Sequence, residues 1–126
     1  MAKCPVLVVD DDESIGALVA KMLSHSGYEV VTETSGAGCL KQLRAGFRGL
    51  ILMDITMPAM SGWDTIHHIV DEGLAEGNFI CMLTGMAAPG PEAEGLAENV
   101  MDYLTKPVRV GALLEVARRA SDALSA

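Results

Sequence analysis

Basic residues are scarce in this chain, with 9 lysines and arginines against 17 aspartates and glutamates and a formal charge of −8. A surface of that sign repels phosphate backbones and anionic lipid heads, which argues against direct nucleic-acid binding by this chain alone. Cysteine is scarce too. Cys4, Cys39 and Cys81 are odd in number, form no Cys-x-x-Cys pair and lie in apolar runs, so buried thiols in a reducing compartment are expected. No apolar stretch approaches the roughly 20 residues that span a bilayer. The residues before Asp10 are too few for a signal-peptide core, and a soluble cytoplasmic protein without membrane insertion is expected. Internal repeats and low-complexity tracts are lacking. Half of the residues are hydrophobic and 21% are charged, a globular balance that excludes whole-chain disorder. At 126 residues the chain is too short for two ordinary domains, so a single domain over 1–126 is expected.

What the chain has is alternation. Val6 to Val9 is a continuous apolar run that stops at acids, the mark of a strand buried on both faces. Ile15, Leu18, Val19, Met22 and Leu23 then share one helical face, and Gly27 follows where a helix would stop. The pattern repeats with a strand at Glu29 to Thr34, a short helix at Gly38 to Arg44, and a strand at Gly49 to Met53 that ends at Asp54. Trp63, Ile66, Ile69 and Val70 mark another helix, Phe79 to Leu83 a buried strand, and Tyr103 to Thr105 a short one. Leu113, Ala117, Ala120 and Leu124 mark a last helical face. Ala87 to Asn99 carries Pro89, Gly90, Pro91 and Gly95, so any helix there is short or begins late. Strand-helix units with buried strands and right-handed crossovers predict an α/β doubly wound, five-stranded parallel sheet of order 2-1-3-4-5, a flavodoxin-like (βα)5 fold.

Such sheets bind ligands at the carboxyl ends of their strands. The unusual residues lie there: Asp10 and Asp11 after the first strand, Asp54 after the third, Thr84 after the fourth and Lys106-Pro107 after the fifth. Taken singly, each has an ordinary use, because acids cap helices and end strands and a lysine suits a surface turn. In the 2-1-3-4-5 order, however, the acids of the first and third strands crowd together and need a cation. Oxygen-only ligands without a Cys/His cluster select a hard ion, and Mg2+ suits a shallow site that keeps waters and receives a phosphate. A carboxylate beside Mg2+ can attack a phosphoryl group, which makes Asp54 the candidate nucleophile; Lys106 can supply a point charge and Thr84 a hydrogen bond to phosphoryl oxygens. Asp12 and Glu13 are read as helix-capping acids, and His25, His67 and His68 as surface residues.

These residues converge on a family. Val8-Val9-Asp10-Asp11-Asp12, Leu52-Met53-Asp54-Ile55-Thr56-Met57-Pro58-Ala59-Met60-Ser61-Gly62, Leu83-Thr84-Gly85 and Asp102-Tyr103-Leu104-Thr105-Lys106-Pro107 closely resemble a response-regulator receiver domain, the phosphoacceptor of two-component signalling. The resemblance covers nearly the whole chain. It implies that Asp54 is the phosphorylated residue and that Asp10, Asp11, Asp54 and the Thr56 carbonyl hold Mg2+. It further implies that Thr84 is the switch threonine, Tyr103 the aromatic that follows it inward, Lys106 the phosphate-binding lysine and Lys106-Pro107 a cis peptide. The implied partners are a sensor histidine kinase or phosphotransfer protein and a downstream effector protein. The implied chemistry is self phosphoryl transfer and slow self-dephosphorylation, so the chain is not expected to be an enzyme toward outside substrates.

Three departures from the family pattern bear on the output face: Gly85 in place of the usual alanine, Asn99-Val100 in place of a Gly-Ala pair, and the irregular segment from Ala87 to Glu98. Two rivals fare worse. A haloacid-dehalogenase-like phosphohydrolase needs a second acid two residues after the nucleophile, where Thr56 stands. A flavodoxin-like flavin binder needs a neutral loop after the first strand, where Asp10 to Glu13 would repel the flavin phosphate. No output domain follows before Ala126, so the chain is expected to act through a separate partner or to be part of a longer protein.

Overall fold

The computed structural model describes residues 3–85 and 96–125. Its elements are β1 (Val6–Val9), α1 (Glu13–His25), β2 (Val30–Glu33), α2 (Gly36–Arg44), β3 (Leu50–Asp54), α3 (Gly62–Asp71), β4 (Phe79–Thr84), a 3-10 turn (Ala97–Asn99), β5 (Val100–Thr105) and α4 (Val110–Ser125). The five strands are all parallel in the order β2-β1-β3-β4-β5, as the alternating pattern requires.

The central strands are buried on both faces because their alternate residues serve two separate cores. Val6, Val8, Leu50, Leu52, Cys81 and Leu83 point to one side, against Val19 and Leu23 of α1 and Leu113, Val116, Ala117 and Ala120 of α4. Leu7, Val9, Ile51, Met53, Ile80 and Met82 point to the other, against Leu40 and Leu43 of α2 and Trp63, Ile66 and Ile69 of α3. All three cysteines are free and buried, and burial pushes the Cys39 and Cys81 thiols up to about 12, so both stay protonated and inert. Among the described residues no helix is long and apolar enough to cross a membrane.

Element boundaries differ from the sequence expectation by one to three residues. α2 starts at Gly36 rather than Gly38 because Ser35 caps it, its hydroxyl accepting from the Gly38 amide at 3.0 Å. β2 is one residue shorter at each end than Glu29 to Thr34, as suits an edge strand. β5 begins at Val100, three residues before Tyr103, because its first four residues are only half-buried and show weak apolar contrast. It also pairs with β4 through a register irregularity at Ile80 and Cys81. Most of the stretch from Ala87 to Asn99, including its prolines, lies outside the described residues; the part described is Leu96 and the 3-10 turn at Ala97–Asn99.

Candidate functional site

The parallel register brings the acids together. Val9 pairs with Met53, so Asp10 and Asp54, the next residues along β1 and β3, end side by side. Asp10 is 1% exposed and Asp54 6% exposed. Together with the exposed Asp11, their carboxylate oxygens lie within 4.8 Å of one another.

Local backbone fixes each acid. Asp10 Oδ1 accepts the Asp12 amide at 2.9 Å, and Asp12 in turn caps α1 by accepting from the Ser14 and Ile15 amides. Asp12 thus does what the sequence assigned it. Asp54 Oδ1 accepts the Thr56 amide at 3.2 Å, which bends the chain away from β3 and sets the Thr56 backbone at the rim of the site. The loop then closes on itself: the Gly62 amide donates to the Ile55 carbonyl at 2.8 Å, and Ser61 and Asp64 form a reciprocal capping box at the start of α3. Gly62 is required there, since a Cβ would lie 2.4 Å from the Asp54 carbonyl oxygen. Ala59 takes the left-handed conformation at φ 67° to complete the turn.

From the far side, the Lys106 amide donates to the Thr84 carbonyl at 2.8 Å, tying the ends of β4 and β5. The Lys106–Pro107 peptide is cis, as the resemblance implied. Lys106 Nζ lies 3.0 Å from Asp10 Oδ2 and 3.3 Å from Asp54 Oδ1. Asp10 Oδ2 is buried and meets that ammonium as an ion pair, with no well-directed hydrogen bond.

Three negative charges face one positive charge, and the titration of the groups reflects it. Burial, then the Asp10 charge, push Asp54 from its ordinary 3.8 up to about 6; its contact with Asp11 adds to this, while Lys106 and the Thr56 amide oppose it. Burial works against the Lys106 charge, but its close contact with Asp10 and the Asp54 and Asp10 charges outweigh that and raise it. An oxygen-only donor set, a residual charge of −2 from three carboxylates and one ammonium, and a buried carboxylate oxygen without a directed hydrogen bond fit a hard divalent cation.

Thr84 ends β4 and is 6% exposed. Tyr103 is half-buried on β5, its hydroxyl is buried without a hydrogen bond, and burial raises its phenol. Its ring lies 6.3 Å from that of Trp63, a neighbour that the sequence marked only as one of the residues on a helix face. A single tryptophan directly after the loop glycine was the available signal. Beside Lys106, an apolar groove of about 410 Å³ is lined by Ile15, Leu18, Val19, Lys106, Pro107 and Val108. His25 on α1 and His67 and His68 on α3 are exposed, and His67 Nδ1 lies 3.4 Å from Asp71 Oδ2.

The model of the response regulator receiver domain matches residues 6–118. This chain belongs to that family. The receiver domain is similar to the transcriptional regulatory protein YrkP of Bacillus subtilis, with 38% identity over 102 residues covering 81% of this chain and 42% of that protein. It thus spans less than half the length of that curated relative. Among solved structures it is similar to a CheY-like response regulator receiver domain protein of Methanospirillum hungatei, at 40% identity and a TM-score of 0.92 over 98% of each chain. It is also similar to the chemotaxis protein CheY4 of Vibrio cholerae, at 31% identity and a TM-score of 0.83 over 94% of this chain and 99% of that one.

Proposed function

We propose that the receiver domain is a phosphoacceptor: Asp54 takes a phosphoryl group from a phosphohistidine on a sensor histidine kinase or phosphotransfer protein, in a Mg2+-dependent reaction. The modified domain then changes its affinity for a downstream effector protein through Thr84 and Tyr103. The observation that carries this reading is the convergence of Lys106 Nζ on Asp54 Oδ1 at 3.3 Å and Asp10 Oδ2 at 3.0 Å, beside Asp11. Residues from three strand ends meet there, as transfer to a carboxylate requires.

Asp54 Oδ1 is engaged by the Thr56 amide and by Lys106. We therefore assign the attack on phosphorus to Oδ2; the new P–O bond forms as the donor P–N bond breaks, and the imidazole nitrogen keeps the electron pair. Asp10, Asp11, Asp54 and the Thr56 carbonyl are the residues that would hold Mg2+, which when bound neutralises phosphoryl oxygens during transfer. Lys106 stays protonated and afterwards pairs with a phosphoryl oxygen, drawing on β5, while the Thr84 hydroxyl turns to another and Tyr103 fills the space behind it. The position two residues beyond Asp54 is Thr56, which is no general acid, so turnover of outside substrates is not assigned to this chain. Residues 1–126 are read as one unit of cytoplasmic signalling, where reducing conditions keep the three buried cysteines as thiols.

The test is a mass spectrum after incubation with acetyl phosphate and Mg2+. One added phosphate, mapped to Asp54 and absent in Asp54→Asn, is expected. Labelling of Asp54→Asn at the wild-type level would overturn the reading.

A further inference from the structure

Besides Asp10 Oδ2, the described residues hold two buried side-chain atoms without a hydrogen bond: the indole Nε1 of Trp63 and the hydroxyl of Tyr103. Burying either group unpaired is costly, because each gives up water and gains nothing in return. The two are complementary, since an indole N–H only donates and a phenol oxygen can accept. They are also neighbours, with ring centroids 6.3 Å apart and ring planes at 49°. The N–H leaves the edge of the indole and the hydroxyl stands beyond its ring. Reorientation of Tyr103 can therefore join them without bringing the rings closer.

Both residues are anchored to the acid site. Trp63 follows Gly62, whose amide is bonded to the carbonyl of Ile55, the residue after Asp54; the Ile55 amide in turn donates to Leu83 at 3.1 Å. Tyr103 lies three residues before Lys106 on β5 and pairs in register with Met82. Trp63 is 1% exposed and packed in the core with Ile66, Ile69 and Met82, whereas Tyr103 is half-buried on an edge strand. One ring is enclosed by the core, while the other is partly open to solvent with its hydroxyl turned into the interior.

We propose that Trp63 is a positioning residue for Tyr103: when the acid site is occupied, the indole N–H donates to the Tyr103 hydroxyl and retains that ring in the inward state. The inference rests on the phosphoacceptor reading and extends it by naming what holds the aromatic ring once it has moved. A purely structural Trp63 would fill the space under α3 and β4 without sensing occupancy.

Trp63 is the only tryptophan, so the full chain gives one indole N–H resonance. The experiment compares wild type, Tyr103→Phe, Trp63→Phe and the double variant, each with Mg2+ and with or without beryllofluoride, a mimic of the phosphoryl group. Fluorine NMR reports occupancy of the acid site. On occupancy, the wild-type indole resonance should move downfield and its exchange with solvent slow by roughly two- to tenfold, the span set by one hydrogen bond of ordinary net strength. Both changes should be lost in Tyr103→Phe. Beryllofluoride affinity should fall by a factor in the same range in each single variant and no further in the double. If fluorine signals show occupancy while the indole resonance stays put, or moves equally in Tyr103→Phe, the proposal is wrong and the phosphoacceptor reading survives. If no beryllofluoride binds, both fall together. Should Trp63→Phe fail to fold, the resonance comparison between wild type and Tyr103→Phe decides the matter.

Discussion

Replacing Asp54, the proposed nucleophile, should make the metal-free protein more stable. Asp54 titrates at about 6 against an ordinary 3.8, a difference worth about 3 kcal/mol at 1.36 kcal/mol per pH unit. The sign follows from linkage: a carboxyl raised by folding favours the folded state below 3.8 and loses that contribution as pH rises through about 6. At pH 7.5 the folded chain therefore carries the whole cost of ionising Asp54 among its acidic neighbours. Asparagine removes that charge and keeps the local geometry. Its carbonyl oxygen can still accept the Thr56 amide, its NH2 can donate toward Asp11, and Lys106 retains Asp10 at 3.0 Å. Because the neighbouring charges also relax, we expect a net gain of about 1 to 3 kcal/mol, or a rise in Tm of about 3 to 10 °C for a chain of this length. The assay is a pair of thermal melts in chelator at pH 7.5 and at pH 4.5. The gap between Asp54→Asn and wild type should be wide at the first pH and shrink at the second, where wild-type Asp54 is protonated in the folded state. An Asp54→Asn protein melting at or below wild type at pH 7.5 would refute the electrostatic reasoning.

Lys106→Ala should still accept phosphate, slowly, but fail to switch, because the ammonium links Asp54 to β5 and does not itself form the bond; wild-type backbone NMR shifts in the phosphorylated variant would count against this. Gly62→Ala should cost about 1 to 3 kcal/mol in denaturant melts and slow labelling, since its Cβ would meet the Asp54 carbonyl oxygen at 2.4 Å and Ile55 Cα at 3.0 Å. Ala59→Gly should raise stability by up to about 1 kcal/mol and leave labelling unchanged, as glycine relieves the left-handed backbone at φ 67°; a destabilised variant would show that the turn is not strained.

The acid site was legible because its residues interrupt a pattern. Asp10 and Asp54 each stop a run of buried apolar residues, and Lys106 follows a strand end where neither core asks for a cation. Both faces of β1, β3 and β4 could be read for the same reason, since unbroken apolar strands leave few choices of sheet. What could not be read is what depends on contacts between distant side chains or on weak contrast. The start of β5 at Val100 is hidden because an edge strand buries its residues only by halves. The meeting of Trp63 with Tyr103 is hidden because α3 and β5 are adjacent only after β4 has been inserted between β3 and β5.

The register also explains why the cation of the site has to be a long side chain. Asp54 pairs with Leu83, and Thr84 pairs with Thr105, so Lys106 leaves the sheet two strands away from β3 with β4 between them. Neighbouring strands are about 4.8 Å apart, which puts the backbone of β5 about 10 Å from that of β3. Only a lysine- or arginine-length side chain crosses that gap, and Lys106 does so over the end of β4, ending at both Asp54 and Asp10. A group pulled at its tip by a new phosphoryl charge transmits the pull to its own backbone, and the Lys106 amide is bonded to the Thr84 carbonyl. The geometry that lets the cation reach the acids is therefore the same geometry by which the proposed switch would carry charge added at Asp54 to the strand bearing Tyr103. In a receiver domain whose lysine was on β4 the site could be neutralised equally well, but β5 would have no direct contact with the acids to follow.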